Sequence, residues 1–276
     1  MNTLLFPTDY SECSHNAFLY AIHFARAFKA NIITLHIYHS APVLINYDYP
    51  IVWDVLGQQE EWDQFDSYRE EVQKLRRIAD ENFAENIAMN HLLDKGNVVD
   101  AIIDASEKNS VDFIVMGSKG ANELEAFFGG TIAEKVMNQS TLNVIVIPEK
   151  WQYKNISKIL FLTHFQKKDQ KILRKLLNFA EVLGASVQAL WICGDSDLNK
   201  ELFLQDWYER FGQDPVQFEI ISGTHVERIV ADYIEAHPVE LVAMSVHHKN
   251  ALQKLFLHSV AEELALHSKV PLMAVR

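Results

Sequence analysis

Three glycines at regular spacing form the stretch of the chain with the clearest chemical potential. Two residues separate Gly117 from Gly120, nine more lead to Gly130, and the hydroxyl residue Thr131 follows at once. Glycine allows backbone N–H groups to approach an anion closely, and a helix N-terminus adds unpaired donors and a partial positive charge. The spacing therefore predicts a phosphate-binding loop. The alternative interpretation is that the glycines only permit tight turns.

The elements on either side of this loop support the prediction. Residues 111–116 form an apolar run typical of a buried parallel strand, and residues 131–138 have the pattern of a helix that Thr131 could cap. Lys119, inside the loop, could neutralise phosphate charge or could simply be solvated. Strand, glycine loop and helix N-terminus follow one another in the order that a phosphate site requires.

A carboxylate follows the first apolar segment of the chain. Asp9 comes directly after the strand predicted for residues 2–7, at the carboxyl edge where ligands bind in open α/β sheets. It could contact a ligand there, or it could accept hydrogen bonds in an Asx-turn that closes the strand.

We find no convincing catalytic constellation in the sequence. A Gly-x-Ser-x-Gly elbow, a His-Glu-x-x-His pair and a cysteine–histidine signature are all absent from the 276 residues. Without a base to activate water, a fast ATPase is not expected, and we predict no catalytic residues.

Several histidines are predicted to lie at the carboxyl edge of a second sheet. A zinc site or a pocket for an acidic ligand would suit imidazoles, but the histidines lack ligand spacing such as His-x3-His, and twelve in the chain will cluster by chance. We therefore predict no metal site. The histidines concerned are His164, His247, His248 and His258.

Composition excludes several function classes. A hydrophobic content of 49% and a charged content of 22% are ordinary for a globular protein, and the formal net charge of −12 argues against nucleic acid or an acidic membrane as partner. Cys13 and Cys193 stand far apart, without a CxxC neighbour, as ordinary thiols do in a reducing compartment. The chain shows no signal peptide and no run of about 18 apolar residues, so we expect a cytoplasmic protein.

Strands and helices are predicted to alternate through the first half of the chain. This order implies a parallel sheet with helices on both faces. Residues 41–57 are predicted to be an irregular, aromatic-rich excursion, followed by a long helix with a narrow apolar stripe. The predicted strands are 2–7, 31–38, 87–94, 111–116 and 143–148.

The pattern then repeats. Residues 159–164 align with 4–9 at an offset of 155, whereas 241–244 align with 113–116 at an offset of 128. The difference of 27 residues corresponds to the excursion and the long helix, so two copies of one domain are predicted. Side chains in the second copy would obstruct a phosphate, so we interpret it as degenerate and scaffold-like. The residues that replace Asp9, Gly117, Gly120 and Gly130 there are His164, Ser245, His248 and His258.

The glycine spacing resembles the nucleotide loop of the universal stress protein family. The opening segment Leu4–Ser11 is similar to the family's first strand and its Asp-bearing turn, and Asn143–Pro148 is similar to its last strand. The resemblance covers residues 1–149 well and 156–276 more weakly. It implies an α/β fold of two tandem open parallel-sheet sandwiches of the adenine-nucleotide alpha-hydrolase-like (Rossmann-like) type, one in each of these two domains.

The resemblance also implies a function. The first domain of a cytoplasmic stress-response regulator would bind ATP or a related adenine nucleotide, with Mg²⁺ bridging the phosphates. An interaction scaffold that binds no nucleotide and a slow ATP hydrolase are the alternatives. The adenosine would be framed by Pro7, Asp9 and the backbone near His36. The ribose and phosphates would be held by Gly117, Gly120, Gly130, Thr131 and Ile132, and Met116 would also belong to the nucleotide site.

Finally, the resemblance implies an assembly. The last strands of the two domains, 143–148 and 270–275, would pair within one chain and so cover two aggregation-prone edges. A homodimer, if it forms, would use other surfaces.

Overall fold

The computed structural model describes residues 2–38, 50–118, 132–149, 151–194, 200–245 and 270–276. The strands are β1 (Asn2–Pro7), β2 (Ala30–Tyr38), β3 (Met89–Lys95), β4 (Phe113–Gly117), β5 (Asn143–Ile147), β6 (Lys158–Leu162), β7 (Ser186–Cys193), β8 (Val216–Ser222), β9 (Leu241–Ser245) and β10 (Leu272–Val275). The helices are α1 (Glu12–Phe28), α2 (Pro50–Glu81), α3 (Val98–Lys108), α4 (Ile132–Gln139), α5 (Lys167–Leu183), α6 (Lys200–Phe211) and α7 (Val226–Ala236).

All ten of these strands form one sheet, in the order β3-β2-β1-β4-β5-β10-β9-β6-β7-β8. Neighbouring strands are parallel except β5 and β10, which pair antiparallel with Met273 opposite Ile145. The strands of each half therefore follow the same order, reversed across the β5–β10 junction. The predicted α/β fold is confirmed, and so is the predicted pairing of the two last strands within one chain.

Helices cover both faces of the sheet and enclose two apolar clusters. On one face, α1 and α5 meet across the junction of the halves, where the rings of Phe28 and Phe179 lie 4.8 Å apart. On the other face, α3, α4 and α7 contribute fully buried residues such as Ile102, Val136 and Val230. Among the helices that the structure describes, none has the length and apolarity to cross a membrane.

The long helix begins earlier than the sequence pattern predicts. α2 starts at Pro50, so the interpretation of residues 41–57 as irregular is wrong for 50–57, while 41–49 lie outside the described residues. Proline suits a first helical position, because its fixed φ is already helical and no N–H is needed there. The counterpart helix α6 has 12 residues against the 32 of α2, so much of the extra length of the first half lies in this helix.

The segment that joins the two halves, residues 151–153, packs along α1. Asn16 donates to the carbonyl of Trp151 at 2.8 Å, and the Tyr20 hydroxyl donates to the next carbonyl, of Gln152, at 3.2 Å. The ring of His23 then stacks on Tyr153 with centroids 3.6 Å apart. Because these α1 residues lie on one face of the helix, the linker follows it.

Candidate functional site

The chain order of the first half creates a crevice between β1 and β4. From β1 the chain adds β2 and β3 on one side, and it then returns to place β4 on the other side. Loops that follow β1 and β4 therefore diverge, and ligands of open α/β sheets bind outside the carboxyl ends of such strands. Asp9 follows β1 at this edge, and Gly117 ends β4 there.

The turn from β1 into α1 is organised by a buried threonine. Thr8 donates its backbone N–H to the carbonyl of Leu35 at 2.9 Å, which ties the end of β1 to β2. Its hydroxyl accepts from the backbone N–H of Tyr10 at 3.1 Å and shares a 2.7 Å hydrogen bond with the Ser14 hydroxyl. These contacts hold Tyr10 at a φ of 61°, a left-handed conformation that is costly for a non-glycine residue.

Asp9 lies in the Asx-turn that its position allows. Its Oδ1 accepts from the backbone N–H of Ser11 at 3.1 Å and from the Ser11 hydroxyl at 2.7 Å. The same hydroxyl oxygen caps α1 by accepting from the backbone N–H of Ser14 at 3.2 Å. The turn interpretation is therefore confirmed, and ligand contact by the partly exposed Asp9 stays a prediction.

His36 lies beside this turn, near the end of β2. Its Nδ1 is 2.8 Å from the carbonyl oxygen of Thr8, and its ring stacks on Tyr10 with centroids 4.4 Å apart and planes at 26°. A carbonyl oxygen can only accept, so Nδ1 is the protonated nitrogen of the neutral ring. His36 thus links β2 to the turn through a defined tautomer.

Helix α2 is anchored against the same turn. Burial raises the pKa of the Tyr10 hydroxyl above its ordinary value, and the nearby Tyr68 and Glu71 of α2 raise it further. Glu71 also lies 3.4 Å from Nε2 of His15 on α1 and contacts Lys74 of its own helix. The side of the turn that faces α2 is therefore ionisable as well as aromatic.

Gly117 is placed where β4 meets the first turn of α1. A Cβ atom at this position would lie 3.0 Å from Sγ of Cys13 and 3.5 Å from the Cys13 carbonyl oxygen. The next residue, Ser118, donates its backbone N–H to Ile147 at 2.9 Å, and its side chain is buried. The glycine therefore has a packing role that its spacing did not indicate, because the contact with Cys13 joins residues about a hundred positions apart.

The predicted site residues divide between described and undescribed parts of the chain. The structure brings those at the ends of β1, β2 and β4 to one edge of the sheet, and Ile132 opens α4 beyond the loop. Their contact with a ligand stays a prediction. The residues at this edge are Pro7, Asp9, His36, Met116 and Gly117. Lys119, Gly120, Gly130 and Thr131 lie outside the described residues.

Comparison with known proteins identifies the family. The model of the "Universal stress protein family" matches residues 1–148 and 195–276. The chain belongs to the universal stress protein family. Two universal stress proteins of Methanocaldococcus jannaschii resemble it over about half its length. The first is 25% identical over 146 residues, which are 52% of this chain and 80% of that relative. The second is 24% identical over 153 residues, which are 53% of this chain and 94% of that relative.

Solved structures of universal stress proteins share the complete fold. One from Archaeoglobus fulgidus has a TM-score of 0.70 at 20% identity and covers 99% of this chain and 95% of its own. A putative universal stress protein from Pseudomonas aeruginosa has a TM-score of 0.66 at 10% identity, with coverage of 99% and 92%. Since both extend over nearly the whole chain, the two-half architecture recurs in this family.

The second half of this universal stress protein repeats the turn at an offset of 155 residues. The backbone N–H of Thr163 donates to Leu190 at 3.0 Å, and its hydroxyl accepts from the N–H of Phe165 at 3.1 Å and donates to Asp169 at 3.2 Å. Phe165 has a φ of 52°, as its counterpart in the first half does. An aromatic residue in the left-handed conformation is therefore a feature of this turn in both halves. No sequence pattern indicated it, because aromatic residues rarely adopt this conformation.

The surroundings of the repeated turn differ in chemistry. Trp191 occupies the position of His36, and its ring meets Phe165 edge-on with centroids 5.9 Å apart. These two side chains are 5% and 1% exposed, and Trp207 and Phe218 pack around Phe165. The polar, partly exposed wall of the first crevice is thus replaced by apolar core.

The predicted grouping of histidines lies mostly beyond the described residues. His164 is exposed after β6, at the position of Asp9, whereas His247, His248 and His258 are not described. Within the described parts of the chain, no three histidine, cysteine or acidic side chains are grouped to hold a metal ion.

Proposed function

We propose that this universal stress protein is a stress-response regulator whose first half binds ATP or a related adenine nucleotide. The observation that carries the proposal is the convergence of the Asp9 turn and of Gly117 at the crevice between β1 and β4. Such a crevice accepts nucleotides in open α/β sheets, and the glycine spacing after Gly117 suits phosphate.

The elements of the crevice suggest how the nucleotide would lie. The phosphates would accept hydrogen bonds from backbone N–H groups of the glycine loop and of the start of α4. Neighbouring strands are about 4.8 Å apart, so His36 on β2, two strands from Gly117 on β4, lies about 10 Å along the edge, a distance that a nucleoside can span. The base would then reach the end of β2, with Asp9 between the base and the phosphates.

Mg²⁺ would accompany the triphosphate. Mg²⁺ keeps several waters and takes the remaining oxygens from phosphates and one or two carboxylates, so it needs no cage of protein ligands. Asp9, partly exposed directly after β1, would supply one such carboxylate. We propose binding without rapid hydrolysis, because the sequence contains no recognised motif with a base that activates water.

A cytoplasmic location is part of the same proposal. Cys13 and Cys193 are both buried, one in each half, and form no disulfide in the described structure. Cysteines that are not in disulfides are usual in a reducing compartment.

Isothermal titration calorimetry with ATP and Mg²⁺ tests the proposal. The wild-type protein is expected to bind ATP, and Gly130→Val is expected to abolish binding with little change in thermal unfolding, because the bulky residue would block phosphate at the loop that the sequence predicts. Lack of ATP binding by the wild-type protein would favour the interaction scaffold, and wild-type affinity in Gly130→Val would refute the proposed loop. Phosphate release over hours would show a slow hydrolase.

A further inference from the structure

Three histidines of the first half lie around helix α2, and each is replaced by another residue type at the equivalent position of the second half. They are His15 on α1, His36 on β2 and His91 on β3. The second half has Gln170 and Trp191, by the offset of 155 residues, and Phe218, by the strand register. Histidine is the side chain whose charge changes between about pH 5 and 8, so these positions are proton-sensitive in the first half alone.

The contact of His15 with α2 lacks a donor that the second half provides. Nε2 of His15 lies 3.4 Å from Oε2 of Glu71, and both atoms are buried without a hydrogen bond to any residue that the structure describes. In the second half, Gln170 donates to Oδ2 of Asp206 on α6 at 2.7 Å. An amide always carries this donor, whereas an imidazole has N–H groups on both nitrogens only when it is protonated. A proton on His15 therefore completes the contact with Glu71 and makes it an ion pair.

The two carboxylates are held in the same way by their own helices. Oε1 of Glu71 contacts Lys74, and Oδ1 of Asp206 accepts from Arg210 at 3.0 Å. The halves therefore differ in the side chain that the first helix supplies to this contact. The other ionisable groups near His15 and Glu71 are Tyr10, Tyr68 and, in the first turn of α1, Glu12.

The contact of His91 with α2 depends on the opposite protonation state. Nε of Arg76 donates to Nε2 of His91 at 3.4 Å, and Nδ1 lies 2.7 Å from the Thr34 hydroxyl. Nε2 can accept only while the ring is neutral, and burial, together with Arg76, lowers the pKa of His91. A proton on His91 would replace this hydrogen bond by repulsion between two cations. By strand alternation, the other ionisable side chains on this side of β2 and β3 are His36, Tyr38 and Lys95.

We propose that α2 is a proton-responsive element, and that acidification shifts its attachment from β3 to α1. Glu71 and Arg76 are five residues apart, about 7.5 Å along the helix, and the fully buried Leu75 between them keeps α2 on the core. A fall in pH strengthens the contact at Glu71 and breaks the contact at Arg76. Because the Tyr10 hydroxyl lies near Glu71, the shift reaches the turn that follows β1.

Double-mutant cycles at about pH 8 and about pH 5.5 test the proposal. Urea unfolding gives the coupling between the two residues of a contact as a factor in the unfolding constant. For His15→Ala with Glu71→Gln, this factor should rise from less than about twofold at the higher pH to about fivefold at the lower pH. For His91→Ala with Arg76→Met, it should fall from about threefold to less than about 1.5-fold. The matched control, Gln170→Ala with Asp206→Asn, should change by less than about 1.5-fold between the two pH values.

The outcomes need no nucleotide and so do not depend on the proposed function. A coupling of His15 with Glu71 that does not rise on acidification, or a coupling of His91 with Arg76 that does not fall, would overturn the proposal. A control coupling that changes as much as either would overturn it too, because the response would then not come from the histidines. If His91→Ala does not fold, His91→Phe, which installs the residue of the equivalent position in the second half, takes its place in the cycle.

Discussion

Two threonines at equivalent positions of the halves make the same contacts with different partners. Thr8 and Thr163 are 6% and 5% exposed, and each hydroxyl accepts from the N–H of a left-handed aromatic residue. Each threonine hydroxyl also forms a hydrogen bond with a side chain in the first turn of the following helix. This side chain is the neutral Ser14 in α1 and the carboxylate of Asp169 in α5. Hydrogen bonds to charged groups contribute more to stability than neutral ones.

Replacing each threonine by valine should reveal this difference. Thr8→Val is expected to lower the free energy of unfolding by about 1 kcal/mol and Thr163→Val by about 2 kcal/mol, because the second change removes a donor from a buried carboxylate. Urea denaturation of the two variants measures both values. A larger loss for Thr8→Val would contradict the argument.

Gly117 is constrained by packing as well as by its proposed ligand. Its Cβ position is 3.0 Å from Sγ of Cys13, closer than ordinary contacts allow, so an alanine there must displace the thiol. Removal of the sulfur should make room for the methyl group. The residue is thus sensitive to substitution even in the absence of any nucleotide.

A double-mutant cycle on Gly117→Ala and Cys13→Ala should show this constraint. We expect a favourable coupling of about 1 kcal/mol in the free energy of unfolding, because the methyl group overpacks the wild-type contact but fills the space that Cys13→Ala leaves. Urea unfolding of the wild-type protein, both single variants and the double variant supplies the cycle. Additive effects would mean that the two residues do not constrain each other.

At the scale of elements, the linker against α1 contains a titratable contact. Burial lowers the pKa of His23 from its usual value of 6.5, and Arg26 lowers it further. The ring that stacks on Tyr153 is therefore neutral in the folded protein at a pH where the unfolded chain already takes up a proton. Stability from this contact is present above the usual pKa and is lost as the pH falls below it.

The pH dependence of thermal unfolding tests this linkage. Between pH 7.5 and 5.5 the wild-type protein should lose stability, and His23→Phe, which keeps a ring against Tyr153, should lose less. His91 adds a similar dependence to both proteins, because burial and Arg76 lower its pKa. Identical pH profiles for the two proteins would show that His23 does not contribute.

The elements were predictable from the sequence where their pattern is local. The alternation of strands and helices and its repetition in the second half followed from the sequence pattern, whereas the pairing of β5 with β10 was implied by the family resemblance. The start of α2 at Pro50 was missed because the aromatic residues around it suggested a loop. The left-handed Tyr10 and the contact between Gly117 and Cys13 depend on tertiary packing, which no local pattern contains.

At the scale of the molecule, the halves form a single unit. The antiparallel junction of β5 and β10 continues the sheet, and α1 packs against α5 above it. Arg276 donates its backbone N–H to the Asn143 side chain at 2.9 Å, and its guanidinium contacts the carbonyl of Met137 near the end of α4. The second half therefore supports the helix that follows the glycine loop.

The same unit is chemically asymmetric. At the first crevice the edge presents a carboxylate and a partly exposed imidazole, whereas at the second it presents His164 and the buried Trp191. Sequence alignment also places histidines where the first half has Gly120 and Gly130. Loss of even one charge-assisted contact with phosphate costs about 1.5–3 kcal/mol, or about ten- to a hundredfold in affinity.

We therefore expect one ATP per chain, bound by the first half. Calorimetry should give a stoichiometry near one for the wild-type protein. Asp9→Ala should reduce binding below detection, because it removes a carboxylate that closes the turn and, in the proposed site, would contact the nucleotide. His164→Ala, the matched change in the second half, should leave affinity and stoichiometry unchanged. A stoichiometry near two, or ATP binding that survives Asp9→Ala and is lost in His164→Ala, would show that the second crevice is a nucleotide site despite its apolar wall.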